Sequence, residues 1–155
     1  MNREYKFRGK RVDNGQWVYG YLVKAWDDTC YIITEFGPFV TCCDECGANN
    51  ITVYEVIPET VGQYTGLNDK DDKEIYKGDI VKCTDLNSGI EFIAVVEFGN
   101  PNCEYSWGYQ LRRISGDNPN LDILLWVEME DVRVYCEVVG NLHDNPELLK
   151  EAANE

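Results

Sequence analysis

Turn-forming residues interrupt this 155-residue chain at short intervals, and that spacing limits its possible folds more than any other feature. The segments between the turns are rich in Val, Ile, Tyr, Trp and Phe, which favour β-strands. Strands about eight to twelve residues apart predict a small all-β barrel or sandwich, and they argue against alternating βαβ units. The predicted strands lie around Tyr5 and Phe7 and at Trp17–Val23, Cys30–Thr34, Phe39–Cys43, Ile51–Val56, Val61–Thr65, Ile75–Cys83, Ile90–Phe98, Gly108–Ile114 and Val134–Val139.

Three segments permit more specific predictions. Asn14-Gly15 can supply two residues with positive φ, so we predict a type I′ hairpin turn between the first two strands. Leu121–Val127 is almost continuously apolar, and its pattern fits a buried strand or a buried helix equally well. Near the end, Asn145 as a cap and Pro146 as the first helical residue predict a short helix over Glu147–Ala153.

The segment Gln63–Val81 predicts two strands joined by a tight polar turn. Acids within the turn, Asn68–Glu74, invite comparison with a calcium-binding loop, which needs oxygen ligands at alternating positions and Gly at the sixth. Counted from Asp69, however, the fifth position holds Lys73 and the sixth holds Glu74. We therefore interpret the segment as a hairpin connection and not as a cation site.

Acidic residues outnumber basic residues by 28 to 14, which gives a formal net charge of −14. A surface this acidic repels phosphate backbones at long range, so we expect no direct binding of nucleic acid. The charge is uneven, because Arg3–Arg11 carries five bases while the span from Ala25 to Asp69 contains eight acids and no Lys or Arg. We interpret this asymmetry as a solvated surface with a basic first strand.

The seven cysteines raise the question of a metal or redox site. Cys43 and Cys46 have the two-residue gap of a zinc-binding pair, with Cys42 beside them, but a structural zinc ion needs four ligands and no second such pair follows. Acidic neighbours would raise the thiol pKa values of the pair, which disfavours a thioredoxin-type redox role. We expect free thiols, with metal binding as the alternative, and assign no metal ligand and no cofactor.

No motif typical of catalysis is present, since the chain has neither a GxSxG nucleophile elbow nor a P-loop. The single histidine, His143, lies among polar residues, and the pair Glu128 and Glu130 is one that an acidic chain produces by chance. A stacking platform of aromatic residues would need a basic groove to bind nucleic acid. We predict that the protein is not an enzyme and assign no catalytic residue. We expect the tryptophans to serve core and interface packing: Trp17, Trp26, Trp107 and Trp126.

Three blocks of the sequence carry a resemblance to a known family. Arg3–Arg8 followed by Trp17–Gly20 forms the first block, Gln63–Val81 is close to the pattern YTGL-x-DK-x-G-x-x-IY-x-GDIV, and Glu137–Leu149 resembles the ending V-I-G-N-x-x-E-N-P-E-L-L. Together they resemble the YopX family of phages and other bacterial mobile elements. Asp72 stands where that family usually has Gly, and because Asp tolerates left-handed geometry we expect the turn to survive.

The resemblance implies a mainly β fold with two parts. Residues 1–58 would form an N-terminal β unit of hairpins, and residues 59–155 an SH3-like β-barrel with a short C-terminal helix, with a single domain over 1–155 as the alternative. In this arrangement Gly78 permits a sharp entry to a barrel strand, and Asp79 can accept hydrogen bonds from local backbone N–H groups. The family has no established biochemical activity, so the resemblance implies no substrate and no site residue.

The function that we predict is a phage- or prophage-encoded, non-catalytic protein-interaction or assembly module that forms homo-oligomers and has a host or phage protein as a possible partner. One alternative is an acidic inhibitor that imitates DNA and occupies a host enzyme, and another is a thiolate-metal protein. The first residues lack the apolar core of a signal peptide, and no apolar run reaches transmembrane length. We therefore expect a cytoplasmic location and no membrane association.

Overall fold

The computed structural model describes residues 5–36, 51–99, 108–114, 120–127 and 131–154. Within these ranges the protein is mainly β, with antiparallel sheets and a short C-terminal helix, so the predicted fold class is confirmed. The predicted strand Phe39–Cys43 lies outside the described residues. The elements in chain order are β1 (Phe7–Lys10), β2 (Trp17–Lys24), β3 (Cys30–Phe36), β4 (Ile51–Val56), β5 (Gly62–Asn68), β6 (Glu74–Tyr76), β7 (Asp79–Asp85), β8 (Ile90–Gly99), β9 (Gly108–Arg113), β10 (Asn120–Asp122), α1 (Leu124–Val127), β11 (Val134–Asn141) and α2 (Glu147–Ala153).

The chain divides into two compact units, Met1–Tyr64 and Thr65–Glu155. In the first unit β1 to β4 pair in sequence order as antiparallel neighbours. Their inward side chains are β-branched, aliphatic or aromatic, which suits a pleated surface with one buried face. The small core of this unit consists of Cys30, Ile32 and Val56, with Phe7, Val18, Leu22 and Val61 packed against it.

The first hairpin forms where the sequence predicts it, but the prediction of a type I′ turn at Asn14-Gly15 is wrong. Among the described residues other than glycine, positive φ occurs only at Asp28 and Asp72, so Asn14 does not adopt it. The Arg11 N–H donates to the Gln16 carbonyl, and the Gly15 N–H donates to the Arg11 carbonyl. The loop is therefore longer than two residues, and Gly15, at φ 70°, supplies its left-handed position.

The ends of β1 and β4 also pair, which closes the sheet of the first unit on itself. The Ile57 N–H donates to the Lys10 carbonyl at 2.8 Å, and Arg11 forms an isolated bridge with Val56. A 3-10 turn at Pro58–Thr60 then redirects the chain, so that Gly62 at the start of β5 pairs with β1. β1 thus has pairing partners along both of its edges.

The second unit contains a five-stranded antiparallel sheet in the order β10-β9-β8-β7-β11, while β6 pairs with β5. One face of the five-stranded sheet is packed, and α2 lies against β8. Alternation along β7 and β8 places every second residue in this core. The paired residues Ile80 and Val95, on the opposite face of these strands, are also fully buried. The buried core residues are Ile75, Val81, Cys83, Phe92, Ala94, Val96, Tyr109, Leu111, Ile123 and Cys136.

Two predictions about element boundaries need correction or completion. The predicted strand Ile75–Cys83 is in fact β6 and β7, because Gly78 at φ 91° breaks it. The ambiguous segment Leu121–Val127 contains the end of β10 and, after Ile123, the single turn of α1. Asp122 makes this change possible, because its Oδ1 accepts the Leu124 N–H at 3.0 Å. None of the α1 residues is buried, so the predicted burial of a helix here is wrong.

The predicted C-terminal helix over Glu147–Ala153 is confirmed as α2. The prediction of Asn145 as the cap and Pro146 as the first helical residue is wrong by one position, because Pro146 is the N-cap residue and Glu147 begins the helix. The Asn145 carbonyl accepts the Leu148 N–H, and its side-chain Oδ1 accepts the N–H of Asn141 instead of capping the helix. The domain division at residues 58 and 59 stays a prediction, and so does the SH3-like arrangement of residues 59–155.

Candidate interaction surface and signature segment

The turn of the signature segment is held by the carboxylate of Asp69. Oδ1 of Asp69 accepts the N–H groups of Asp71 and Lys73, each at 2.9 Å. Oδ2 accepts the N–H of Val138, in β11, also at 2.9 Å. Asp69 is only 9% exposed, so its oxygens are directed into the protein and are already engaged by three donors. The carboxylate therefore organises backbone, and the sequence prediction of a polar hairpin connection describes it correctly.

Asp72 takes the left-handed conformation of this turn, with φ 64°. The expectation that Asp can stand in the glycine position is thus confirmed. Its Oδ1 also accepts a hydrogen bond from the Asn68 side-chain amide at 2.8 Å, which links the two ends of the turn. Asp is among the few residues for which a local polar contact offsets part of the cost of left-handed geometry.

The signature turn also covers part of the outer edge of β11. The Lys70 N–H donates to the Cys136 carbonyl at 3.1 Å, two residues before Val138. Lys70 Nζ lies 3.2 Å from Glu137 Oε2 and 4.7 Å from the centre of the Tyr135 ring. Because an uncovered edge strand invites pairing with other chains, this contact protects the second unit at β11.

Gly78 and Asp79 connect the signature segment to the third sequence block. Asp79 is almost fully buried, and its Oδ2 accepts the Tyr76 N–H at 2.8 Å, as predicted for a local backbone contact. The Gly78 carbonyl accepts the N–H of Leu142 at 2.9 Å. Asn141 Oδ1 in turn accepts the N–H groups of the next residues of that block, His143 at 3.0 Å and Asp144 at 2.9 Å.

Gly140 in the third block is closely packed against the Asn145 side chain. A Cβ at this position would lie 2.6 Å from Asn145 Oδ1, which is closer than real Cβ contacts occur. From Thr65 onward, the central block therefore forms one hydrogen-bonded structure with the final block within the second unit. Their residue choices follow from turn geometry and edge coverage.

The described cysteines are buried and free: Cys30 in the first unit and Cys83 and Cys136 in the second. Cys83 and Cys136 face each other across β7 and β11. Burial raises the pKa of both thiols, that of Cys136 to about 12, with the charge of Asp69 adding to the increase. Both are therefore neutral thiols at physiological pH.

The sequence also contains candidate metal ligands and candidate acid–base residues. Within the described ranges no group of three His, Cys, Asp or Glu residues is arranged to hold a metal ion. The candidate ligands Cys42, Cys43 and Cys46 lie outside those ranges, as do Glu128 and Glu130. His143 is exposed on the turn before α2.

Trp26 is 98% exposed, at the turn that joins β2 to β3. We call residues 25–29 the Trp26 turn. Its backbone is closely constrained, since Ala25 N–H donates to the Thr29 carbonyl at 2.8 Å and Asp28 N–H donates to the Ala25 carbonyl at 3.1 Å. Asp27 Oδ1 accepts the Thr29 N–H at 3.1 Å.

Asp28 completes the constraint on this turn. It has φ 67°, and its carboxylate lies 2.8 Å from Lys24 Nζ. Hydrogen bonding to Thr29 lowers the pKa of Asp27, and the Lys24 partner lowers the pKa of Asp28, so both carboxylates are charged at neutral pH. The turn thus holds an almost fully exposed indole next to two carboxylates, one of which is paired with Lys24.

The described tryptophans differ in their surroundings. Trp126 packs on the core of the second unit, with its ring centre 4.9 Å from that of Phe92. Trp17 is partly covered and carries the Lys10 ammonium at 5.5 Å from its ring centre. Packing in the protein core does not account for Trp26. The sequence did contain a signal for this, because the turn residues Asp27-Asp28-Thr29 follow Trp26 directly.

Other exposed apolar side chains adjoin the Trp26 turn in the first unit. Tyr21 and Val23 lie on one face of β2, and Val53 lies on the same face of β4 through the register Tyr21↔Ile33↔Val53. The Trp26 turn therefore follows a sheet face that carries exposed apolar side chains and, through the register Val23↔Tyr31↔Glu55, one exposed carboxylate. Exposed surface of this kind is typical of interaction sites.

The family model described as YopX protein matches residues 6–150. The chain belongs to the YopX family. The match spans both units and includes all of the central and final blocks described above. No curated protein matches the chain. In the described part of the YopX chain, no helix is long and apolar enough to cross a membrane.

Proposed function

We propose that this YopX-family protein is a non-catalytic interaction or assembly module of a phage or other mobile element, and that it self-associates through its first unit. The observation that carries the proposal is Trp26, held 98% exposed on a constrained turn. Trp is among the residues that contribute most to binding when they enter a partner surface. Burying about 200 Å² of its surface at about 25 cal/mol per Å² gives an upper limit near 5 kcal/mol before the costs of association.

The chemistry of the second unit supports a role without catalysis. Asp69 and Asp79 accept backbone hydrogen bonds, and the thiols of Cys83 and Cys136 are neutral. These buried polar groups are the usual places to find a perturbed nucleophile or base, and each has a structural task. The acidic-inhibitor and thiolate-metal alternatives stay predictions from composition and spacing.

Sedimentation velocity over a range of protein concentrations tests the proposal. We expect species heavier than the 17.8 kDa chain, with a share that increases with concentration. A single 17.8 kDa species up to the highest soluble concentration would contradict self-association.

A further inference from the structure

The first unit carries opposite charges at the two ends of β2. At one end the Trp26 turn presents Asp27 and Asp28, both exposed, and Lys24 at the end of β2 pairs with Asp28, so these three residues together carry a net charge of −1. At the other end Trp17 pairs with Lys10 of β1. A strand rises about 3.3 Å per residue, so the length of β2 separates these ends by roughly 23 Å. The Trp26 turn therefore cannot reach the basic end of its own copy.

The basic end has a defined composition, and we call Lys10, Arg11 and Trp17 the Lys10 corner. Lys10 Nζ lies 5.5 Å from the Trp17 ring centre, and the Arg11 guanidinium lies 4.2 Å from the ring centre of Tyr54. The Lys10 corner combines an aromatic ring with two cations that already have contacts within their own copy. Arg11 is paired with Asp13, and the Trp17 ring carries the Arg8 guanidinium at 4.7 Å as well as the Lys10 ammonium. An indole next to carboxylates is complementary to such a surface through cation–π contacts and opposite charge.

We infer that copies of this protein associate head to tail, with the Trp26 turn of one copy bound to the Lys10 corner of the next. The inference rests on the proposed self-association and names its contact. In this contact Trp26 packs against Trp17 and the Lys10 side chain, and Asp27 faces the Lys10 ammonium. Both surfaces belong to the first unit of each copy.

A head-to-tail contact has a consequence for assembly. Each copy uses two different surfaces, so the contact is heterologous and produces rings or open chains, whereas a two-fold contact produces closed dimers. The uneven charge along the chain then serves assembly, because it gives one strongly acidic protein both an acidic surface, the Trp26 turn, and a basic surface, the Lys10 corner.

Two variants, each lacking one surface, test the inference by native mass spectrometry. Trp26→Ala removes the indole and leaves the Lys10 corner intact, and the exposure of Trp26 means that the fold does not depend on it. Lys10→Glu reverses the charge of the Lys10 corner and leaves the Trp26 turn intact, with Lys10→Gln as a milder second variant. Leu86→Ala is the control, since Leu86 is an exposed apolar side chain of the second unit.

We expect each variant alone to be monomeric where wild type and Leu86→Ala assemble. A mixture of Trp26→Ala with Lys10→Glu should form a 1:1 dimer, because one copy supplies the turn and the other the corner. Asp27→Asn keeps the acceptor for Thr29 and removes the charge, so it should weaken assembly by about tenfold or less.

The outcomes separate the inference from the proposed function. Absence of the mixed dimer, or assembly of Trp26→Ala to the wild-type extent, overturns the head-to-tail contact while wild-type self-association still stands. A wild-type protein that is monomeric at all concentrations overturns the proposed function and the inference with it. Circular dichroism of each variant, compared with wild type, establishes that a lost assembly is not a lost fold.

Discussion

Replacing Asp69 tests whether the signature segment has a structural task. Asp69→Ala removes two acceptor oxygens that hold three N–H groups, but Asp71 and Lys73 are exposed residues, so water can partly replace the carboxylate at their N–H groups. The Val138 N–H, on the partly buried edge of β11, loses its acceptor with less access to water. A hydrogen bond to a charged group contributes about 1.5–3 kcal/mol, and an unsatisfied buried donor costs about 1–3 kcal/mol. We therefore expect the free energy of unfolding to fall by about 3 kcal/mol.

Asp69→Asn provides a graded variant of the same test. Its Oδ1 can still accept the N–H groups of Asp71 and Lys73, but its amide nitrogen would face the Val138 N–H, donor against donor. We expect a loss of about 1–2 kcal/mol, between wild type and alanine. Asp71→Ala, in an exposed position of the same turn, is the matched control and should change stability by less than about 0.5 kcal/mol.

Urea unfolding measures the free energies, and amide hydrogen exchange at Val138 measures the local effect. The reasoning predicts faster exchange at Val138 in both Asp69 variants and wild-type exchange in Asp71→Ala. Equal stability of Asp69→Ala and Asp71→Ala, or unchanged protection at Val138, would refute the structural role of Asp69.

Three further predictions concern individual positions. Gly20→Ala should lower the stability of the first unit by about 3 kcal/mol in urea unfolding, because a Cβ there would lie 2.1 Å from the Ile33 carbonyl oxygen; wild-type stability would contradict this packing. Asp72→Val should cost about 1–2 kcal/mol more than Asp72→Gly, since a β-branched residue is poorly tolerated at φ 64°; equal midpoints would count against it. The pKa of the Cys136 thiol is raised in the folded state, so its contribution to the free energy of unfolding is fully present below the unfolded thiol pKa, near 8.5. Above that pH the free energy of unfolding declines by about 1.4 kcal/mol per pH unit. Cys136→Ala should reduce that slope in unfolding measured from pH 8 to pH 10, and parallel profiles would exclude the thiol as its cause.

Elements with strong local signals were predictable from the sequence. Ile51–Val56 alternates β-branched and aromatic residues and forms β4 with the predicted ends, and Pro146 marks the start of α2. The left-handed conformation of Asp72 in the central turn was predictable because it depends on local geometry. These predictions needed only propensity and turn chemistry.

Features that depend on contacts distant in sequence were not predictable. The Asn14-Gly15 turn was assigned as type I′ from its residues, but the pairing of Arg11 with Gln16 lengthens the loop. The hydrogen bond from the Val138 N–H to Asp69 joins residues that are 69 positions apart, and no local sequence pattern predicts it. The exposure of Trp26 likewise depends on where the turn places the side chain, while composition alone favours burial of Trp.

The light-scattering mass of wild type and Trp26→Ala, measured side by side at the same high concentration, tests self-association through the Trp26 turn. We expect a wild-type mass above 17.8 kDa and a Trp26→Ala mass at the monomer value. Equal masses for the two proteins, whether both monomeric or both assembled, would contradict self-association through the Trp26 turn.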